Sequence, residues 1–373
     1  DRKRAPKRPF VAIGDNHKTL REVTSALRRH GVESCSLVCG VDFTASNKWT
    51  GPGETNLHAL SPTALNQYEL ALHIISKTIE DLDDDGLIPC FGFGSAQATD
   101  KAVFNFNAGG EPCAGFAPAL NRYREIAANV RMAGPTSFGP IIRKAARIAA
   151  ETGQYHVLLL LADGQVTRSV DQAPGTFSAQ EEDTRQAIVE ASKYPLAIVM
   201  VGVGVGPWGA MEEFDDALPD RDVDNFQFVP LMRIFKDLSR PPTPEEEAAF
   251  ALAALQELPS HHSAFGALAA GGHSTRRLPP AVTVLEPPPT PVSPGPAFCP
   301  PKPNSAAPPS APPASAPAAG AGAADWECPV CLTEAQSRVA FGCGHLVCAD
   351  CSEALKKCPV CRKDIALRLP VYG

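Results

Sequence analysis

Eight residues able to hold a soft metal lie between positions 328 and 361: Cys328, Cys331, Cys343, His345, Cys348, Cys351, Cys358 and Cys361. They follow the pattern C-x2-C-x11-C-x-H-x2-C-x2-C-x6-C-x2-C. Zinc takes four tetrahedral thiolate or imidazole ligands, and a C-x2-C turn brings two sulfurs to one ion. Eight ligands fill two closed sites and leave no open position for a substrate, so the zinc would be structural. A segment this short buries too little apolar surface to fold alone, and bound metal would supply much of its folding free energy.

A second donor set is built from oxygen. Asp42-Phe43-Thr44-Ala45-Ser46 follows directly on an apolar run and places one carboxylate and two hydroxyls at alternating positions. Thr136 lies in a Gly-Pro-Thr-Ser loop ahead of a helical pattern, and Asp163 ends a second apolar run and precedes Gly164. Magnesium or manganese takes oxygen ligands in near-octahedral geometry and keeps some water. A D-x-T-x-S triplet alone is a weak signal. In doubly wound sheets, however, ligand residues gather at the carboxyl ends of strands, and all three pieces can converge there. Alternatively, Asp42 and Asp163 cap strand ends without a metal. Gly202, Gly204 and Gly206 have the wrong spacing for a dinucleotide fingerprint and are followed by Pro207 and Trp208; they predict a tight strand-to-helix turn.

The elements that must position these groups alternate along residues 10–258. Buried strands are predicted at 36–41, 87–93, 156–162 and 196–203, and helices at 67–82, 138–151 and 181–193. The first helix sets Leu70, Ile74, Ile75, Thr78 and Leu82 on one face. Continuous apolar strands separated by helices imply an α/β fold with a doubly wound, mostly parallel sheet covered on both faces. Thr243-Pro244-Glu245-Glu246 reads as a helix start, with Thr243 as N-cap and acids at the positive end of the dipole. That helix is expected to run to about residue 258 and close the domain. Residues 259–324 turn rich in Pro, Ala and Ser and predict a disordered linker. The zinc module occupies 325–373. Residues 1–9 form a basic, proline-broken tail: a solvated end, a nuclear-import signal or an anionic-lipid contact.

The balance of 41 acidic against 34 basic residues gives a net charge of −7 and argues against a nucleic-acid surface. Of 12 cysteines, five (Cys35, Cys39, Cys90, Cys113 and Cys299) lie outside the metal pattern and are scattered. That usage fits a reducing compartment, cytoplasmic or nuclear, with peripheral membrane contact as a further expectation. The longest apolar run is far below the roughly 18 residues of a membrane span. The sequence opens on Asp1 rather than Met and shows no lipid-attachment glycine, which leaves lipid anchoring an open question.

Three cysteines, one histidine and four cysteines in that order resemble the RING finger. The resemblance implies interleaved sites: Cys328, Cys331, Cys348 and Cys351 on one zinc, and Cys343, His345, Cys358 and Cys361 on the other. It further implies an apolar groove of Val330, Leu355 and Pro359 for a ubiquitin-conjugating enzyme. Arg362 would bridge that enzyme and ubiquitin through its fork of donors. Plain packing and a solvated charge are the alternatives for these four. Asp42, Thr44, Ser46, Thr136 and Asp163 resemble the metal-ion-dependent adhesion site of von Willebrand factor A (vWA) domains. The wider text is similar to the copine branch: VDFTASN at 41–47, GPTSFGPII at 134–142, LLLADGQVT at 159–167, VGVGVGPWGAMEEFDD at 201–216 and DNFQFV at 224–229. These five residues would then bind one magnesium, manganese or calcium ion and leave a coordination position for a partner's carboxylate.

A copine-like domain followed by a RING finger resembles the plant RING domain ligase family. The resemblance implies a ubiquitin ligase that forms no covalent intermediate. It would position a ubiquitin-loaded conjugating enzyme, while the vWA domain recruits a protein substrate. A non-enzymatic scaffold using both modules, or a phospholipid-responsive adaptor using the basic tail, are the competing functions. The terminal stretch 365–373 predicts a strand with Leu367, Leu369 and Val371 on one face. It would pack on a second RING to form a homodimer, or fold back on its own.

Overall fold

Alternate residues of the strand His156–Ala162 enter two different cores: Val157, Leu159 and Leu161 one, Leu158, Leu160 and Ala162 the other. That two-sided burial is why the run is apolar without alternation. The computed structural model describes residues 17–164, 166–167, 177–218, 221–238, 240–270, 277–289, 337–341, 346–348, 352, 365 and 368–372. The chain divides into two units, 1–302 and 303–373.

The strands of the first unit are β1 (Ser36–Asp42), β2 (Leu87–Ile88), β3 (Cys90–Phe93), β4 (Ala102–Asn105), β5 (Cys113–Ala114), β6 (His156–Ala162), β7 (Leu196–Gly202), β8 (Phe226–Pro230) and β9 (Thr283–Leu285). Its helices are α1 (Leu20–Arg29), α2 (Gln67–Ile79), α3 (Phe116–Asn129), α4 (Gly139–Thr152), α5 (Ala179–Ala191), α6 (Gly209–Ala217), α7 (Leu231–Ile234), α8 (Pro244–Leu255) and α9 (Leu258–Ala270). A seven-stranded sheet runs β8-β7-β6-β1-β3-β4-β9. Its neighbours are parallel except β3 and β4. Side chains from α1, α2, α3 and α8 cover one face, and those from α4, α5 and α6 the other. The expected doubly wound α/β architecture is therefore present.

Local chemistry explains the boundaries. Thr243 caps α8 as expected: its hydroxyl accepts from the Glu246 amide at 3.2 Å, and the Glu246 carboxylate accepts from the Thr243 amide at 2.9 Å. The predicted strand 87–93 is broken at Pro89, which has no N–H for a ladder. β2 turns aside to pair antiparallel with β5, while β3 stays in the main sheet. The first unit also continues beyond the compositional boundary at 258. α9 lies in the segment predicted as linker, and β9 pairs parallel with β4 at the sheet edge, with Val284 opposite Val103. Val284 and Leu285 pack against opposite cores, so a three-residue strand between prolines suffices once an edge is waiting. The helices α1 and α3 and the strands β4, β5 and β8 were not anticipated.

In the second unit, β10 (Ser337–Phe341), β11 (Leu346–Cys348) and β12 (Arg368–Tyr372) form an antiparallel sheet ordered β11-β10-β12. Val339 and Val347 are buried and face each other in register. The terminal strand folds back on its own chain, as the second of the two expectations had it. Pro370 stands in β12, opposite Val339. A proline on an edge strand removes a donor from the free side and disfavours addition of a further strand.

Candidate cation site at the carboxyl end of the sheet

β1 and β6 are adjacent and parallel, with Val41 opposite Leu161. Asp42 therefore ends one strand beside Asp163, which follows the other. Asp42 Oδ1 accepts from the Thr44 amide at 2.8 Å, and Thr44 Oγ1 lies 3.1 Å from Ser46 Oγ. Ser46 Oγ donates to Asp163 Oδ1 at 3.1 Å. Thr50 Oγ1 donates to Asp163 Oδ2 at 2.6 Å. Asp42, Thr44 and Asp163 are buried. Asp42 Oδ2 is buried and has no hydrogen-bond partner.

Burial, and then the neighbouring Asp163, push the Asp42 carboxyl well above the usual carboxylate range. Burial raises Asp163 as well. Two buried carboxyls side by side cannot both ionise cheaply. A divalent cation held there would invert that balance, because its charge would be the largest in the site. The donors present are a partnerless carboxylate oxygen and the hydroxyls of Thr44 and Ser46. They suit a hard, oxygen-preferring ion. Among the described residues no group of three or more His, Cys, Asp or Glu side chains could hold an ion.

The loop after β1 is held from below. His58 Nε2 lies 2.9 Å from the Asp42 carbonyl and therefore carries the proton, while Nδ1 lies 2.8 Å from the Tyr123 hydroxyl. Burial drops the His58 pKa to about 3, so the ring is neutral and adds no charge beside a cation. Phe43, His58 and Tyr68 stack, with centroids 4.8 Å and 4.2 Å apart. The Tyr68 hydroxyl donates to Asn47 Oδ1 at 2.6 Å, and Asn47 Nδ2 donates to the Thr44 carbonyl at 3.2 Å.

Gly94, at φ +74°, closes the side facing β3. A Cβ there would stand 2.3 Å from Thr44 Cγ2 and 3.1 Å from Asp42 Oδ1. The Ala133 amide donates to the Gly94 carbonyl at 3.1 Å, and its carbonyl accepts from the Ala45 amide. The adjoining Thr136 exchanges bonds with Thr167. The Thr136 amide donates to Thr167 Oγ1 at 2.7 Å, and the Thr167 amide donates to the Thr136 carbonyl at 3.1 Å.

Four of the five expected residues, Asp42, Thr44, Ser46 and Asp163, are thus linked directly. Thr136 reaches the site through its backbone neighbours, and its hydroxyl makes no hydrogen bond with either carboxylate. Thr50, Gly94 and His58 were not found from the sequence. Thr50 sits four residues beyond Ser46 with no motif of its own, and His58 acts only through a tertiary contact. Of the zinc ligands, only Cys348 is described, at the end of β11. Cys328, Cys331, Cys343, His345, Cys351, Cys358 and Cys361 lie outside the described residues, as do Val330, Leu355, Pro359, Arg362 and the tail 1–9.

Comparison with known proteins adds independent findings. The copine family model matches residues 56–270, and the model for the C3HC4-type RING zinc finger matches 324–368. The copine match includes Thr136 and Asp163 and begins after Asp42, Thr44 and Ser46. E3 ubiquitin-protein ligase RGLG1 of Arabidopsis thaliana is 46% identical, with 100% of this chain and 75% of its own length covered. E3 ubiquitin-protein ligase RGLG5 of the same plant is 44% identical over 98% of this chain and 85% of its own length. Among solved structures, the SpRpn10 VWA domain matches at 11% identity with a TM-score of 0.35, covering 57% of this chain and 93% of that one.

Proposed function

Since this chain belongs to the family of copine-domain ubiquitin ligases that end in a RING finger, we propose that its first domain selects the protein to be modified through a cation held by Asp42, Thr44, Ser46, Thr136 and Asp163. The ligase function itself follows from family membership across nearly the whole chain. The cation reading is supported by one observation: Asp42 Oδ2 is buried without a hydrogen-bond partner, while the other oxygen of that carboxylate holds the loop that carries the linked hydroxyls of Thr44 and Ser46. Bound there, magnesium, manganese or calcium would supply a Lewis-acidic position for a carboxylate from the partner. The chain's own part is to hold the oxygens in place. Thr44 and Ser46 turn their hydroxyls together, Thr50 fixes Asp163, and neutral His58 anchors the Asp42 backbone.

The RING finger binds zinc. We assign Cys328, Cys331, Cys348 and Cys351 to one ion, and Cys343, His345, Cys358 and Cys361 to the other. Both sites are closed and structural, so catalysis rests on positioning a thioester-linked ubiquitin without a covalent intermediate on this chain. Val330, Leu355 and Pro359 make the groove for the conjugating enzyme. Arg362 bridges it to ubiquitin by bidentate hydrogen bonds. We place the protein in a reducing compartment, cytoplasm or nucleus. Four of the cysteines outside the zinc pattern, Cys35, Cys39, Cys90 and Cys113, are free and buried. Membrane contact through the basic tail and pairing of two RING fingers are further proposals.

The test combines a reconstituted ubiquitination reaction with calorimetry. The full chain should build ubiquitin chains with a conjugating enzyme and lose that activity on zinc chelation. It should also bind one magnesium ion that Asp42→Ala abolishes. Equal magnesium binding by the variant would overturn the cation site and leave the ligase standing.

A further inference from the structure

Three free, buried cysteines of the first unit, Cys39, Cys90 and Cys113, lie in one core. Cys39 stands opposite Cys90 in the parallel pair of β1 and β3, and Cys113 stands opposite Ile88 in the antiparallel pair of β2 and β5. The Cys90 thiol donates to the Ile88 carbonyl at 3.4 Å, so it reaches toward the residue that Cys113 faces. The thiols of Cys39 and Cys113 both make hydrogen-bond contact with that of Cys90. Asn107 Nδ2 donates to Cys113 Sγ at 3.5 Å, and the amide of its neighbour Phe106 donates to the Cys90 carbonyl at 3.0 Å. Neither the zinc pattern nor the cation site uses these thiols.

The three differ in chemistry and in freedom to move. The contact with Cys90 holds the Cys113 thiol below its ordinary value against the opposing effect of burial, helped by the Asn107 amide and the Arg122 guanidinium. The thiolate is the nucleophile of thiol chemistry, so Cys113 is the member that attacks. Cys90 is pushed up by its two thiol neighbours and by burial, and keeps its proton. Cys39 and Cys90 are fixed, because β1 and β3 each have a neighbour on both sides in the seven-stranded sheet. Cys113 instead belongs to a two-residue strand, in a two-stranded sheet with β2, and Gly115 follows it at φ +87°. Residues 108–111 before it and Ala114 after it are exposed. A ribbon this short opens at little cost, which admits a small oxidant to a thiol that is otherwise covered.

We propose that Cys113 and Cys90 form a reversible thiol–disulfide switch, closed by hydrogen peroxide or an organic hydroperoxide, that shifts the start of α3. The Cys113 thiolate attacks one peroxide oxygen. An S–O bond forms, the O–O bond breaks, and the departing oxygen leaves as water or alcohol with the proton that Cys113 gave up. The Cys90 sulfur then attacks the sulfenic acid. The S–S bond forms, the S–O bond breaks, and hydroxide leaves as water with the Cys90 proton. Two thiols lose two electrons and the peroxide gains them. Two sulfurs in contact must close to about 2.05 Å. Because β3 is held on both sides, β5 makes that movement and carries the start of α3 with it. Tyr123 of α3 holds His58 Nδ1 at 2.8 Å, and His58 holds the Asp42 carbonyl, so the movement reaches the loop after β1. In reducing compartments such bonds are mostly transient and redox-sensing.

The test treats the zinc-loaded full chain with a few equivalents of hydrogen peroxide, quenches with iodoacetamide in denaturant, and maps unreduced tryptic peptides by mass. Trypsin places Cys90 on residues 78–101, Cys113 on 102–122, and Cys35 with Cys39 on 30–48. The mapping keeps this bond distinct from any oxidation of zinc thiolates. The expected product joins 78–101 to 102–122, and dithiothreitol should separate them. Cys35 is the internal control: burial and the nearby Asp83 and Asp84 push its thiol up to about 12, and it should stay unmodified. Amide hydrogen exchange over Phe116–Asn129 should rise by about threefold or more in the oxidised chain and return on reduction. Cys113→Ser should lose the joined peptides and the exchange change, and Cys39→Ala should keep both. A bond joining 30–48 to 78–101 in place of the expected one overturns the switch. So does a bond that forms only in urea, a Cys113 still open to alkylation after the zinc thiols have oxidised, or unchanged exchange in α3 once the bond is closed.

Discussion

The Thr50 hydroxyl donates to Asp163 Oδ2 at 2.6 Å, joining the loop after β1 to the residue after β6 across 113 positions of sequence. A charge-assisted bond this short orients the carboxylate toward its neighbours. Residues that orient ligands commonly cost 10–100-fold in metal affinity when removed. We predict that Thr50→Val lowers magnesium affinity by about tenfold or more, with little change in melting temperature because Thr50 is half-buried. Calorimetry on the parent and the variant checks it, and equal affinities would remove Thr50 from the site.

The Asp42 carboxyl, raised by burial and by Asp163, sets a stability prediction with a definite sign. An acid whose folded pKa exceeds its unfolded value weakens the fold as pH rises above the unfolded value, because the unfolded chain ionises first. Without metal, Asp42→Asn should therefore melt higher than the parent chain at pH 7. The gain should be on the order of 2–4 °C for each kcal/mol relieved in a domain of this size. The difference should shrink toward pH 4. Magnesium should raise the melting point of the parent and leave the variant unmoved. Melting curves in EDTA that show the variant less stable at pH 7 would refute the electrostatic account.

At Gly94 the prediction is steric. An added methyl meets Thr44 Cγ2 at 2.3 Å, in a backbone conformation at φ +74° that side chains resist. Gly94→Ala should cost about 1–3 kcal/mol and displace Thr44 enough to abolish cation binding. Gly53, at φ +68° with nothing within 4 Å, is the control: Gly53→Ala should keep cation binding. Retention of magnesium affinity by Gly94→Ala would show that the Thr44 hydroxyl is dispensable.

In the zinc module, Arg362→Ala should leave both zinc ions bound and the fold intact, since arginine is not a ligand. Ubiquitin transfer should still fall by about tenfold or more, the equivalent of roughly 1.4 kcal/mol in the transition state. Single-turnover discharge of a ubiquitin-loaded conjugating enzyme measures this directly. Unchanged discharge would reassign Arg362 to the solvated surface.

Local sequence determined a good deal of this protein. The unbroken apolar runs of β6 and β7, seven residues each, read as strands buried on both faces by their length. Thr243 with Glu246 wrote its own helix start, and the Cys/His order resembled the RING finger whose family model matches residues 324–368. Asp42, Thr44 and Ser46 were legible because they share one turn. Only the tertiary structure decided the rest. Thr50 and Gly94 matter through Asp163 and Thr44, partners brought close by the pairing of β1 with β6 and β3, and His58 matters through the carbonyl of Asp42. β9 looked like linker because three residues carry no period. They become a strand only where the edge of β4 offers unpaired amides and carbonyls.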